Sequence, residues 1–300
     1  MNKVGFVMVR LVLALVLTGC AYVAVAVAPA SSVRLQVVVE PQAYTALERQ
    51  WVETIRSRAD RWRVEAEHLA AMYPPLEAPP ARIVLASRGG EDAFVIDPNT
   101  IGFDVGRLQA LYGGSSNEAQ RAERMDRFFR HEYTHLLQKA WFARHPIPLD
   151  RPIDRALAEI LTEGMGNYYS LSSRWRSVDG NRSPVAEATL RELEPRFVAR
   201  LAALACASPA QAEALTADLS MGRFDAKWGA LPMALWIESG PGDVAVVMRG
   251  LLEGGPEGIW AFAGAHLAPA LVPALEEARA AVSACGGTLR RQLPSSPPAG

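Results

Sequence analysis

The stretch RHEYTHLLQ, residues 130–138, sets two histidines four positions apart with a glutamate directly after the first. On an α-helix, positions i and i+4 lie one above the other, so His131 and His135 present two imidazole nitrogens to one point. Glu132 lies about 60° round the same helix from His135, close enough to reach a water at that point without being a ligand. Met125, Phe128, Phe129, Leu136 and Leu137 supply apolar faces for a buried helix, and Arg130, Gln138 and Lys139 suit its rim. With only 5 histidines in 300 residues, chance explains this spacing poorly. Two metal-binding imidazoles beside a base is therefore the reading, against two surface histidines on an amphipathic helix.

A catalytic zinc takes three protein ligands and keeps a further position open. The segment ALAEILTEGMGNYYS, residues 156–170, offers two carboxylates one helical turn apart, Glu159 and Glu163. Here the chain resembles the gluzincin metallopeptidases, in which a glutamate on the helix after HExxH completes the site. In their aminopeptidase branch that glutamate lies in a segment of the form N-E-G-x-A-x-Y, to which Thr162-Glu163-Gly164-Met165-Gly166-Asn167-Tyr168 is similar. The resemblance implies Zn2+ held by His131, His135 and Glu163, with Glu132 as the base for peptide hydrolysis and Glu159 as a supporting carboxylate. The thermolysin branch implies the opposite order, with Glu159 as ligand.

Two departures temper the likeness. Twenty-seven residues separate His135 from Glu163, and WFARHPIPLDRPID (141–154) reads as a proline-rich loop inserted between the helices. No G-x-M-E-N amine-recognition signature lies upstream, which favours an endopeptidase over an aminopeptidase. The oxyanion of such a reaction needs a donor besides the ion. Tyr168, Tyr169, His145 and His266 are the candidates, each with a structural alternative as a core, rim or helix-cap residue.

Upstream, VRLQVVVE (33–40), RIVLAS (82–87), AFVID (93–97) and TIGFDV (100–105) read as strands. A helical pattern from Pro41 to Tyr73 carries Tyr44, Leu47, Trp51, Ile55, Ala59, Trp62, Ala66 and Leu69 at three- and four-residue steps. TIGFDV, with Ile101, Phe103 and Val105 on one face, stands where gluzincins carry the edge strand that holds substrate; a core strand is the alternative. Past Asp154 the pattern is helical: 154–171, 184–205, 209–219, 230–239, 242–252 and 268–284, with Gly and Pro between. The expectation is an α+β, zincin-like fold: a catalytic part over 33–173, a helical subdomain over 174–286 and a disordered tail over 287–300.

At the front, Lys3, Arg10 and the apolar run Leu11 to Leu17 precede Leu17-Thr18-Gly19-Cys20, which resembles the lipobox of bacterial lipoproteins. That likeness implies a signal peptide over 1–19, acylation of Cys20, a tether over 20–32 and anchorage in the envelope facing the periplasm, the outer membrane being favoured because Ala21 follows Cys20. Loss of Lys3 and Arg10 would take the formal charge from −1 to about −3, which offers nucleic acid no basic surface. In an oxidising compartment Cys206 and Cys285 can pair, or remain two buried thiols.

Together these features favour a zinc-dependent endopeptidase acting on envelope or exported proteins. The competing readings are a non-catalytic envelope protein that uses the metal as a clip or binds a partner in its cleft, and an amidase acting on cell-wall peptides.

Overall fold

The computed structural model describes residues 33–73, 76–114, 117–176, 182–240 and 242–292. Cys20 and the whole leader lie outside them, as do 293–300. The small sheet is built from β1 (Leu35–Val39), β2 (Ala81–Ala86), β3 (Ala93–Asp97) and β4 (Thr100–Asp104) in the order β1-β2-β4-β3. β2 runs parallel to β1 and β4, whereas β3 is antiparallel to β4 with an irregularity between Val95 and Asp97.

Parallel neighbours need a crossover, and α1 (Ala46–Ala70) supplies it between β1 and β2. Its start is fixed by a capping box in which Thr45 Oγ1 accepts from the Glu48 amide and Glu48 accepts from the Thr45 amide. The helix thus begins five residues later than the pattern from Pro41 suggests. Tyr44 stands before it, donating to the Glu40 and Leu85 carbonyls at 3.1 Å, and Leu47 is half exposed. Trp51, Ile55, Trp62, Ala66 and Leu69 are buried as their spacing requires.

Two expectations about TIGFDV are corrected. The strand is internal, flanked by β2 and β3, and the edges of the described sheet are β1 and β3. Val105 leaves the strand altogether, because the Asp104 carboxylate accepts from the Arg107 amide at 2.8 Å and opens a helix, α2 (Val105–Tyr112), that alternation had concealed.

The long α3 (Glu118–Arg144) carries the HExxH sequence and starts at a capping box between Asn117 and Gln120. It is braced on α1 by Asp126, which accepts from Arg58 at 2.9 and 2.7 Å and from the Trp62 indole at 2.8 Å. Trp62 also stacks on Phe129, ring centres 4.6 Å apart. The expected insert is shorter than it reads, because α3 runs on through Arg144 and α4 (Pro152–Ser170) already begins at Pro152.

The remainder is helical: α5 (Pro184–Leu204), α6 (Pro209–Thr216), α7 (Ala230–Ser239), α8 (Val244–His266) and α9 (Val272–Gln292). α8 continues past its expected end near Leu252, through a kink where Gly255 adopts φ 55° and Pro256 follows. α9 runs to Gln292, over the first part of the stretch expected as tail.

Helices α4 and α7 meet closely enough that a Cβ on Gly164 would lie 2.3 Å from Met233 Cγ. The apolar core is continuous from Val33 to Val282, and Trp175, Trp228, Trp236 and Trp260 all lie in it. Cys206 and Cys285 form a disulfide across 79 residues, joining the end of α5 to α9. Among the described residues no helix is long and apolar enough to cross a membrane. The described architecture is thus mixed α/β, a four-stranded N-terminal sheet followed by a mainly helical remainder.

Candidate metal centre

Helices α3 and α4 bring His131, His135 and Glu163 together, each offering a ligand atom within 4.8 Å of the others. The two Nε2 atoms are 3.0 Å apart. Glu163 places Oε1 3.4 Å from His135 Nε2 and Oε2 3.7 Å from His131 Nε2. Glu159, one turn earlier on α4, instead accepts a hydrogen bond from the Ser220 hydroxyl. The carboxylate that meets the imidazoles is therefore Glu163.

Glu163, Gly166 and Ser170 follow one another at helical spacing along the α4 face turned to α3. Gly166 lets the helices approach, since a Cβ there would sit 3.1 Å from His131 Cε1 and Nε2 and from His135 Cε1. Ser170 Oγ lies 3.0 Å from His131 Nδ1. No motif marks this serine, and only its place two turns beyond Glu163 could have pointed to it.

Gln138 also differs from expectation. It is buried, not on the rim: its Nε2 donates to the Thr162 carbonyl at 3.0 Å, which turns Oε1 toward His135 Nδ1 at 2.8 Å. An amide oxygen can only accept, so His135 carries its proton on Nδ1 and leaves the Nε2 lone pair facing His131 and Glu163. His135 Nε2 and the Glu163 carboxylate thus converge as acceptors on His131 Nε2, whose own role depends on which of its nitrogens carries the proton.

A divalent cation between them would be held by all three, with His131 protonated on Nδ1 toward Ser170. A proton serves badly, because burial first, and then the neighbouring His135, hold His131 well below the usual histidine range. Two imidazole nitrogens and one carboxylate, with outer nitrogens oriented by Gln138 and Ser170, are the donor set of a three-ligand divalent-metal site. The residues present fit a metal ion.

Glu132 is buried beside this centre, and its carboxyl is pushed up to about 8, by burial foremost and next by the charge of Glu163, with Asp92 and Glu91 adding to it. A divalent cation at the centre would oppose that rise. Asp92 and Glu91 come from the turn before β3, and Asp92 accepts from the Tyr112 hydroxyl at 2.7 Å. Lys227, in the connection between α6 and α7, lies in the field of Glu163, Asp92, Glu132 and Glu91, with its Nζ 5.5 Å from the Phe224 ring centre. Lys227 was missed from sequence.

Each of the four expected oxyanion donors makes a contact outside the three metal-site residues, Tyr168 through its ring face. Tyr168 faces the Arg176 guanidinium at 5.1 Å, and Tyr169 donates to Met72 Sδ at 3.0 Å. His145 stacks on Trp141 at 4.0 Å just beyond the end of α3. His266 closes α8, with Nδ1 on the Phe262 carbonyl at 2.8 Å and its ring against Phe262.

Comparison of the chain with models of known protein families, with curated proteins and with solved structures returns no match.

Proposed function

We propose that the protein is a zinc-dependent metallopeptidase of the gluzincin kind, with a zincin-like arrangement of β3, α3 and α4 as its catalytic frame. The observation that supports this best is the meeting of three potential ligand groups, the His131 and His135 imidazoles and the Glu163 carboxylate, beside an otherwise unexplained buried acid, Glu132. A purely structural metal site would have no use for that acid. A zinc ion bound there would supply a Lewis acid, polarising the scissile carbonyl and lowering the pKa of water at the site.

The chain's own residues do the rest. His131, His135 and Glu163 hold the ion, and Gln138 and Ser170 fix the imidazoles so that their Nε2 lone pairs face it. Glu132 takes the proton of the attacking water and delivers it to the leaving nitrogen, so one carboxyl serves both halves of the reaction. β3 is an edge strand of the described sheet, and an extended substrate backbone would pair along its outer side.

The lipobox likeness around Cys20 extends the proposal to a lipid-anchored enzyme on the periplasmic side of the bacterial envelope, cutting envelope or exported proteins. Two acyl signals on one residue would suffice for stable anchorage.

The test is metal content and cleavage measured together. Protein purified without chelator carries about one zinc per chain, cleaves a peptide library, and loses cleavage but not zinc on Glu132→Gln. Wild-type protein that takes up no zinc would refute the reading. Digestion of isolated cell-wall fragments in the same assay, wild type against Glu132→Gln, decides between protein and cell-wall peptide substrates.

A further inference from the structure

The last turn of a helix leaves its carbonyls without intrahelical partners, and Ser170 is the last residue of α4. Its carbonyl finds a partner on α3, where Arg127 Nη1 donates to it at 2.8 Å. The hydroxyl of the same residue lies 3.0 Å from His131 Nδ1. Ser170 is therefore held at two points by side chains one turn apart on α3, Arg127 and His131.

The guanidinium is itself fixed. Glu123, one turn further back on α3, accepts from Arg127 Nε at 2.7 Å and from Nη2 at 3.2 Å, a two-pronged grip that leaves Nη1 for α4. The Arg127 side chain is 15% exposed against 58% for Glu123, so the guanidinium works from the seam between the helices and the carboxylate from the surface. Arg176, past the end of α4, gives the comparison. It donates to the Tyr168 carbonyl at 3.0 Å and the Leu171 carbonyl at 3.3 Å and pairs with Glu238 of α7. Among the described residues its hydrogen bonds reach neither Ser170 nor α3.

Ser170 Oγ is one bond from Cβ, so its position follows the backbone at the end of α4. A serine hydroxyl, unlike Gln138 Oε1, can donate or accept; it sets the direction of the His131 ring and leaves the tautomer to the ion. We infer that Arg127 is a positioning residue of the metal centre: by holding the Ser170 carbonyl it keeps the Ser170 hydroxyl on His131 Nδ1 and so directs His131 Nε2 toward His135 and Glu163. This rests on the metallopeptidase reading and adds to it the residue that steadies the first histidine, as Gln138 steadies the second.

The experiment compares the full chain with its Arg127→Met, Ser170→Ala and Arg176→Met variants and with the double variant of Arg127→Met and Ser170→Ala. Zinc affinity is read by competition with a chromophoric chelator, the imidazole N–H protons of the zinc-loaded proteins by NMR, and stability by urea unfolding. Ser170→Ala lowers zinc affinity about 10-fold, the low end for losing the partner of a ligand histidine. Arg127→Met lowers it several-fold and opens the His131 Nδ1–H to exchange, while the His135 Nδ1–H, held by Gln138, keeps its signal. Because Arg127 acts through Ser170, the double variant binds zinc no more weakly than Ser170→Ala alone. Arg127→Lys, which keeps a donor for the carbonyl, recovers part of the loss. Arg176→Met unfolds at lower urea but keeps its zinc affinity and both imidazole signals.

Wild-type zinc affinity with an intact His131 signal in Arg127→Met, or in Arg127→Ala should the methionine variant not fold, overturns the inference and leaves the metallopeptidase reading standing. So do losses that add in the double variant, or an equal loss in Arg176→Met, since either makes Arg127 a general brace of α4. Wild type that takes up no zinc overturns that reading and the inference with it.

Discussion

Gln138 accepts a hydrogen bond from His135 Nδ1 at 2.8 Å while its own amide is pinned to the Thr162 carbonyl at 3.0 Å. The side chain therefore ties the orientation and the tautomer of one imidazole to the backbone of the helix that carries Glu163. Gln138→Leu, which keeps the bulk and removes the acceptor, should weaken zinc binding by about 10- to 100-fold, the usual effect of losing such a partner. Competition with a chromophoric chelator measures it. An unchanged zinc affinity would show that the imidazole is held by packing alone.

Gly166 makes a second, steric prediction. The histidine rings stand 3.1 Å from where its Cβ would be, tighter than ordinary van der Waals contact. Gly166→Ala should displace both imidazoles slightly and lower zinc affinity several-fold, and Gly166→Val should abolish zinc binding. Because alanine favours a helix interior by about 1 kcal/mol over glycine, the metal-free alanine variant should melt no lower than metal-free wild type. Equal zinc affinity in wild type and both variants would mean that α3 and α4 can separate freely.

How much of this was legible beforehand follows from where each residue stands in the chain. His131, Glu132 and His135 share one helical turn, so their spacing brought them forward, whereas Glu163 was separated from Glu159 only by the likeness of its segment to the gluzincin one. Lys227 is remote from all of them in sequence and sits in a loop with no repeating pattern; only the folding of α6 and α7 against α4 delivers it.

The strand AFVID was seen but not its place, because sheet order depends on the crossover by α1 and not on the strand's own residues. α2 was hidden because Asp104, its cap, falls within an alternating run that also satisfies a strand. In α8, Gly254-Gly255-Pro256 imitates a terminator, and the helix resumes after a single glycine at φ 55°.

The disulfide between Cys206 and Cys285 closes a loop of 79 residues and ties α9 to the end of α5, both well away from the metal ligands in sequence. A cross-link of that span contributes about 4 kcal/mol on the chain-entropy account. The Cys206→Ser, Cys285→Ser double variant should lose an amount of this order in denaturant unfolding while binding zinc as tightly as wild type. A large loss of zinc affinity would reveal a coupling between the helical half and the metal centre that the fold gives no reason to expect.

Asp126 is the point where α1 grips α3, accepting from Arg58 and from the buried Trp62 indole, with Arg61 at 3.5 Å. Asp126→Ala would leave a partly buried guanidinium and an indole N–H without their acceptor. The cost should be about 3 kcal/mol, the lower end for breaking one side of a buried pair. Asp126→Asn keeps one acceptor and should cost less. Equal stability of the two variants in urea would argue that Arg58 and Trp62 find other partners.

The crowding of His131, His135 and Glu163 predicts a reversal of sign on removing the metal. With zinc bound, the three groups are satisfied, and at a thousandfold excess of ion over its dissociation constant the folded state gains about 4 kcal/mol. For a chain of this size that is a rise in Tm on the order of 10 °C. A chelator should therefore lower the Tm of wild type by that order. Glu163→Gln removes the ligand charge and also puts an amide donor beside the His135 Nε2 lone pair. In zinc the variant should melt well below wild type, and in chelator at or above it. If Glu163→Gln is destabilised equally in both conditions, the carboxylate is holding the helices together by itself and no cation is needed to explain the cluster.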